Sequence, residues 1–589
     1  MGDEEPKHAF SHSGSSKPAG NGVPRRGALL LVLLFAAAIL SCEQHAKPLA
    51  DAEESDAANA VPMSKSATSL LVDLARSAAG IVHDIREHSI RALNLVRRIL
   101  SGVTTAVDEQ NFEKGRTVIV HLFEWKWSDI AAECERFLGP YGYAGVQVSP
   151  PNEHKHIVTE DHFAPWWQRY QPMGYRLNSR SGTEREFRDM VERCNAVGVR
   201  IYVDAIVNHM AKHTKDDRYS FPEVPFGIHD FNVPKGRCPS GDGWVSDYYQ
   251  AENVRNCDLE GLNDLYFGPD NDYHTREIIV GYLNRLLEMG VAGFRIDAAK
   301  HMWPADLKDI VDRLKKTIWG TKPYIYQEVI DRTGIEAVRA AEYFDIGSVT
   351  EFKYGDEVFG IGTASKAAVW YSGFGEQWGL MPDKKALVFI DNHDNQRNHG
   401  GGGNVLTHKT PYEYKKAVAF MLAWDYGVTR VMSSYAFLDS DQGPPSDASG
   451  NTHSPTINAD TTCGGGWICE HRWRQIRNMA CFRNAAKGLP VQNWWDNGRN
   501  QIAFSRGSRA FFALNNEPHV LSRTLQTGLP AGVYCDVITG DPTISGCTGH
   551  SVVVDSAGLA WLEIYPGEDP MIALHVGAKA GSGGGRCRA

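Results

Sequence analysis

Three acids stand at comparable places in the chain: Asp297 closes the run VAGFRID, Glu328 closes PYIYQE, and Asp394 follows ALVFIDNH. A fourth run of the same kind, VRIYVDAIV, leads into Asn208 and His209. Cleaving a glycosidic bond needs an acid that protonates the leaving oxygen and a carboxylate that stabilises the oxocarbenium-like carbon, and a retaining mechanism sets the two carboxyls ~5 Å apart. Any one of these acids alone is as well read as a salt-bridged strand end. Three of them, together with Asn208 and His209, meet at one place only if the runs that carry them lie side by side.

The elements that would do this are legible. Short β-branched runs alternate with helical stretches at 117–123, 144–149, 199–207, 291–298, 323–329, 345–352, 386–394 and 428–434. Strands separated by helices call for a parallel sheet, and eight near-continuous apolar runs favour an α/β fold of the closed (β/α)8 TIM-barrel type over an open sheet. In such a barrel the working residues gather at the C-terminal strand ends. The third strand is followed by 209–265, rich in Pro, Gly, Asp and aromatics, which reads as a small inserted domain at that face. The barrel would then occupy 111–208 and 266–492. From 493 to 577 the runs QIAFSR, AFFALNN, VYCDVITG and SVVVDS carry no helical period and predict an antiparallel β-sandwich.

The flanks differ in composition. Residues 1–26 are polar; GALLLVLLFAAAILS and Cys42 (27–42) follow Arg25-Arg26 and read as a signal peptide, or as a type II signal-anchor that would tether the chain to a membrane, although the run is short of the ~20 residues that span a bilayer. Residues 43–110 carry apolar positions such as Leu71, Leu74, Ala78 and Ile81 at helical spacing, which suggests a partly helical stalk or propeptide. The Gly-rich end, 578–589, reads as a disordered tail. Eleven cysteines without a CxxC fit disulfides in an oxidising compartment, so the expected location is extracellular. A net charge of -10 over 589 residues and no basic patch give no reason to expect nucleic acid.

The motifs DAIVNH, GFRIDAAKH, EV after a strand and FIDNHD resemble, in order, the four motifs of the α-amylase superfamily of glycoside hydrolases. HLFEWKW, GVQVSPPNE, WWQRYQP, HMWP, TRVMSSY and TTCGGGWICEHRWRQIRNM extend the resemblance to the chloride-dependent animal α-amylases over roughly 112–577. It implies retaining endo-hydrolysis of α-1,4 bonds in starch, glycogen and malto-oligosaccharides by a monomer.

Residue by residue, the resemblance makes Asp297 the nucleophile, Glu328 the general acid and Asp394 the third carboxylate. It gives Trp166, Trp167, Tyr170 and Gln171 to a sugar-stacking platform. His209, His301 and His393 become donors to sugar hydroxyls, and Tyr248, Lys300, Ile330 and His399 further subsite contacts. Calcium would be held by Asn208, Asp264 and the backbone carbonyls of Arg255 and His301, an all-oxygen set suited to that ion. Chloride would be held by Arg295, Asn392 and Arg430, offsetting guanidiniums that favour ionised carboxylates. The glycine run 400–403 resembles the family's mobile cleft loop. The implied disulfides are Cys134–Cys194, Cys238–Cys257, Cys463–Cys469 and Cys535–Cys547, leaving Cys42, Cys481 and Cys587. Asn178 stands where the vertebrate members have a further cysteine.

Two rivals differ in class. A membrane-anchored, non-enzymatic ectodomain of amylase type would lack the catalytic set, whereas an exo-acting α-glucosidase would need a closed pocket in place of the aromatic platform.

Overall fold

The computed structural model describes residues 109–159, 163–212, 218–221, 223–582 and 587. The polar segment 1–26, the apolar run 27–42 and nearly all of 43–110 lie outside the described residues, and so does Cys42. Among the described residues no helix is long and apolar enough to cross a membrane.

Eight parallel strands close a barrel: Val118–Leu122, Gly145–Val148, Arg200–Ala205, Gly293–Ile296, Tyr324–Gln327, Ser348–Thr350, Ala386–Val388 and Val428–Ser433. Each pairs with its neighbours in sequence order, and the first pairs with the eighth, Val118 opposite Thr429 and Leu122 opposite Ser433. All eight fall inside the runs expected from the sequence. They read as continuous apolar runs because both faces are covered, inward by the barrel core and outward by helices. The fourth and fifth strands approach so closely at Gly293 that a Cβ there would collide with the Tyr324 backbone, which only glycine avoids.

The surrounding helices carry recognisable local signals. Glu184–Ala196 opens with a capping box in which Thr183 and Glu186 satisfy each other's backbone N–H. Pro304–Asp312 and Pro411–Ala423 both begin on proline, whose missing N–H is harmless in the first turn. The alternation lapses after the fifth strand, where the short 3-10 turn Ala340–Tyr343 stands in place of a full helix.

The excursion after the third strand returns on itself: His209–Met210 pairs antiparallel with Asn263–Asp264, His209 opposite Asp264. Within it, Cys238–Cys257 ties a long loop to the base of the helix Ala251–Asn256.

After the barrel's last helix, Arg474–Ala485, the chain forms the four-stranded antiparallel sheet Val491–Asp496, Gln501–Arg506, Ala510–Asn515 and Met571–His575. Two further antiparallel pairs, Leu521–Gln526 with Leu559–Ile564 and Gly532–Cys535 with Ser551–Val554, cover one of its faces. Phe511, Leu521, Leu562, Tyr534 and Leu574 are buried between the layers, as a sandwich requires.

Two features of the chain's end go beyond the sequence reading. The four expected disulfides are present, and Cys481 and Cys587, left unpaired by the resemblance, form a fifth. The described part of that end, 578–582 and 587, is tied to the fold. Val576–Ala578 forms a 3-10 turn, Ala580 N–H donates to the Val533 carbonyl at 3.0 Å, and the disulfide fixes Cys587 to the last barrel helix. Composition alone did not register that anchoring.

Candidate active site

Arg295 and Asp297, two apart on the fourth strand and its end, point to the same face by the strand's alternation. The Arg295 guanidinium donates to Asp297 Oδ1 at 2.8 Å and to Asp204 Oδ1 at 2.6 Å, and its other nitrogen lies 2.9 Å from Glu328 Oε1. One planar cation therefore gathers carboxylates from the third, fourth and fifth strands. Glu328 is fixed from a second side, because Ala298 N–H donates to its Oε2 at 2.9 Å. For that, Ala298 takes a left-handed φ of 47°, a conformation that costs a non-glycine residue about 1–2 kcal/mol. Asp394 joins from the seventh strand, with Oδ2 3.3 Å from His393 Nε2.

Burial sets the electrostatics of the cluster. It pushes Asp297 well above the usual carboxylate range; Arg295 opposes this, and the charges of Glu328 and Asp204 add to it. Asp394 is pushed up to about 7 by burial and by Glu328, again against Arg295. A mouth holding several buried carboxylates around one guanidinium cannot ionise them all, and this is the condition under which one carboxyl stays protonated as an acid while another is free to attack.

The imidazoles around the cluster are neutral. Burial brings His209 and His301 each down to about 4 and His393 well below its ordinary range. Each thus carries one N–H without adding charge, and in His209 and His301 a backbone carbonyl takes it. His209 Nε2 lies 3.0 Å from the Tyr170 carbonyl, and His301 Nδ1 lies 2.8 Å from that of Val254.

The aromatic residues of WWQRYQP gather on one turn beside the cluster. Trp166 and Tyr170 belong to the 3-10 turn Trp166–Tyr170, with Trp167 half-buried between them. Tyr170 stacks on His393 with centroids 5.2 Å apart and donates its hydroxyl to Asp204 Oδ2 at 2.9 Å. Trp166 meets His393 and His399 edge-on at 5.4 and 5.5 Å. Gln171 is buried with its Oε1 unpartnered. Across the mouth the Lys300 ammonium sits 4.7 Å over the Tyr248 ring, donates to the Ile330 carbonyl at 2.8 Å and pairs with Glu336.

Beside the mouth lies an oxygen-rich corner. Asp264 is buried, and the hydrogen bonds its carboxylate accepts come from the amides of Asn232, at 2.7 Å, and Asn208, with no basic side chain among these donors. Burial, with the Asp258 charge adding to it, holds Asp264 well above its ordinary range. Arg255 turns its guanidinium away, to Glu342 at 2.9 Å and against the Trp303 ring, so only its carbonyl is left for the corner. Among the described residues no group of three His, Cys, Asp or Glu is placed to hold a metal ion. Amide, carbonyl and a single carboxylate oxygen suit calcium rather than a thiolate- or imidazole-bound metal.

A second corner, behind Arg295, has the opposite sign. The Arg430 guanidinium is buried, donates to Gln147 Oε1 at 2.8 Å and lies 4.7 Å over the Phe389 ring. Burial, with Arg295's charge adding to it, lowers its pKa, which Tyr326 opposes. Asn392 Oδ1 accepts from Asp394 N at 3.0 Å and Asn395 N at 2.7 Å, leaving its NH2 as the donor end. Two buried guanidiniums and an amide donor fit a small anion.

The structure thus brings the expected carboxylates, imidazoles and aromatic residues to one mouth and sets Asn208 against Asp264 beside it. It adds Asp204, Gln147, Asn232, Asp258 and Glu336. Asp204 had a local signal, an acid inside the buried run VRIYVDAIV. Gln147, Asn232 and Glu336 reveal themselves only through partners far along the chain.

The comparisons with known proteins agree with this geometry. The family described as alpha amylase, catalytic domain, matches residues 166–353, and alpha amylase, C-terminal all-beta domain, matches 492–577. The chain is 51% identical over 501 residues to pancreatic alpha-amylase of Sus scrofa, covering 79% of this chain and 96% of that one. It is 50% identical over 512 residues to alpha-amylase 1B of Homo sapiens, covering 81% and 98%. A crystal structure of an Eisenia fetida alpha-amylase I mutant in complex with maltohexaose shares 46% identity and a TM-score of 0.73, covering 79% of this chain and 98% of that one.

Proposed function

The chain belongs to the α-amylase family of glycoside hydrolases, and from that premise we propose how its residues divide the retaining, internal hydrolysis of α-1,4-glucosidic bonds in starch, glycogen and malto-oligosaccharides. The observation that carries the division is the single Arg295 guanidinium shared by Asp297 and Glu328. Two carboxyls on one planar fork fit the ~5 Å spacing of a retaining pair better than the wider gap an inverting enzyme leaves for water. Asp297 attacks the anomeric carbon while Glu328 protonates the departing oxygen. Glu328 then takes the proton of the water that releases the glycosyl group. Asp394, held beside His393, grips the distorted sugar's hydroxyls. The imidazoles of His209, His301 and His393 contact further hydroxyls, Trp166, Trp167, Tyr170 and Gln171 receive the sugar faces, and Tyr248, Lys300, Ile330 and His399 line the rest of the cleft.

Asn208, Asp264 and the carbonyls of Arg255 and His301 would hold calcium, with 209–265 as the calcium-binding excursion; the ion, when bound, neutralises the buried Asp264 and ties that excursion to the barrel. Arg295, Asn392 and Arg430 would hold chloride, which when bound offsets the guanidinium field over the carboxylates. Five disulfides support an exported enzyme acting as a monomer outside the cell. The test is the anomeric form of the first product from maltohexaose, followed by NMR. The α anomer appearing first is the expected result; the β anomer would overturn the assignment of Asp297 as nucleophile.

A further inference from the structure

The glycine run that follows Asp394 does not hang free. Gly401, Gly402 and Gly403 have φ values of 82°, 44° and 92°, in the left-handed region that side chains disfavour. A side chain at Gly401 would run into the Phe352 ring, and one at Gly402 or Gly403 into the Arg332 guanidinium. Phe352 opens the helix Phe352–Thr363, and Asp356 stands one turn later on the same helix face. The Asp356 carboxylate is divided between two partners: Oδ1 accepts the Asn404 backbone N–H at 2.9 Å, and Oδ2 accepts from Arg332 Nη2 at 2.7 Å.

Arg332 lies four residues after Glu328, on the loop that leaves the fifth strand. The glycine run starts against the same loop, since a Cβ on Gly400 would lie 3.6 Å from Ile330 Cδ1 and 3.9 Å from Asp394 Cβ. Two loops and a helix therefore meet at one ion pair: the loop from the fifth strand with Glu328, the loop from the seventh with Asp394, and the helix after the sixth.

We infer that Arg332 and Asp356 form a latch that seats residues 400–404 against the cleft and so positions the His399 side of the substrate site. Neither residue touches the reacting atoms; both act through the loop. The inference deepens the reading of the cleft as a glucan site, and it also makes a claim about the free protein that does not depend on that reading. The bridge is partly solvent-exposed, so its loss loosens the loop without unfolding the barrel.

The experiment measures hydrogen–deuterium exchange of amides 400–404 in the free protein, together with kcat and KM on maltohexaose, for Arg332→Ala, Asp356→Ala and the conservative Arg332→Lys. In the two alanine variants, exchange at 400–404 is expected to rise and kcat/KM to fall about fivefold, with more of the fall in Asp356→Ala because it loses the backbone bond as well. Arg332→Lys, which keeps the charge, should recover most of both. Unchanged exchange at 400–404 in both alanine variants overturns the latch whatever the kinetics show. Faster exchange with unchanged kcat and KM overturns its role in positioning substrate, and a lowered Tm without a local change in exchange assigns the pair to stability alone.

Discussion

The two corners beside the catalytic carboxylates are built from the same problem with opposite signs. At Asp264 a buried carboxylate is surrounded by amides, with the negative Asp258 close by. At Arg430 a buried guanidinium is held by an amide oxygen and an aromatic face, with the positive Arg295 close by. A buried charge with no opposite partner is among the costliest arrangements in a protein, so the proposed calcium and chloride would each supply what its corner lacks. What separates them is the covering chain. The negative corner joins the barrel's third-strand end to the 209–265 excursion, through the pairing of His209 with Asp264. The positive corner lies at the barrel wall, on the fourth and eighth strands and just past the end of the seventh. The cation should therefore matter for architecture and chemistry together, and the anion for chemistry alone.

The scale for such effects is set by the carboxylates that both corners serve. Asp297→Asn should leave less than about one percent of starch hydrolysis while preserving the fold, because the covalent step has no other nucleophile. If the variant keeps appreciable activity, neither corner can be said to tune that group.

Next in size is metal removal. Exhaustive EDTA treatment should lower Tm and activity together, since a ligand bound only by the native state at 100 times its Kd contributes about 2.7 kcal/mol. Calorimetry on the chelated protein decides this: an unchanged Tm would break the comparison at its negative end.

The smallest expected effect distinguishes the positive end. Arg295's field favours the ionised forms of Asp297 and Asp394 against their burial. Without chloride the field is uncompensated, and a reaction that needs one protonated carboxyl should lose rate first on the alkaline side of its pH profile. Arg430→Gln removes one of the two charges with its anion, so it should abolish chloride dependence, keep substantial mildly acidic activity and leave Tm nearly unchanged. Superimposable pH profiles of dialysed enzyme with and without chloride would show Arg295, Asn392 and Arg430 to be structural.

The eight strands were legible because a sheet buried on both faces demands continuous apolar runs, and Asp297, Glu328 and Asp394 because each closes such a run. The excursion stood out by composition. What stayed hidden were pairings that local pattern does not encode: Asp356 with Arg332 and Asn404, Glu336 with Lys300, Asn232 with Asp264. Each member alone is an ordinary polar residue, and only the barrel's closure brings loops from different strands into register. The Cys481–Cys587 bridge was hidden for a related reason, since its two cysteines lie 106 residues apart.

That last bridge changes what it means for the C-terminal sandwich to be a separate module. With Cys481 in the final barrel helix and Cys587 near the chain end, the whole sandwich lies inside one covalent ring. A single protease cut anywhere in that ring opens it without detaching either piece. Nicked enzyme should therefore migrate as one intact-mass species on a non-reducing gel and separate into two fragments only after thiol treatment, so that in a protease-rich surrounding the molecule can be cut and still travel as a unit.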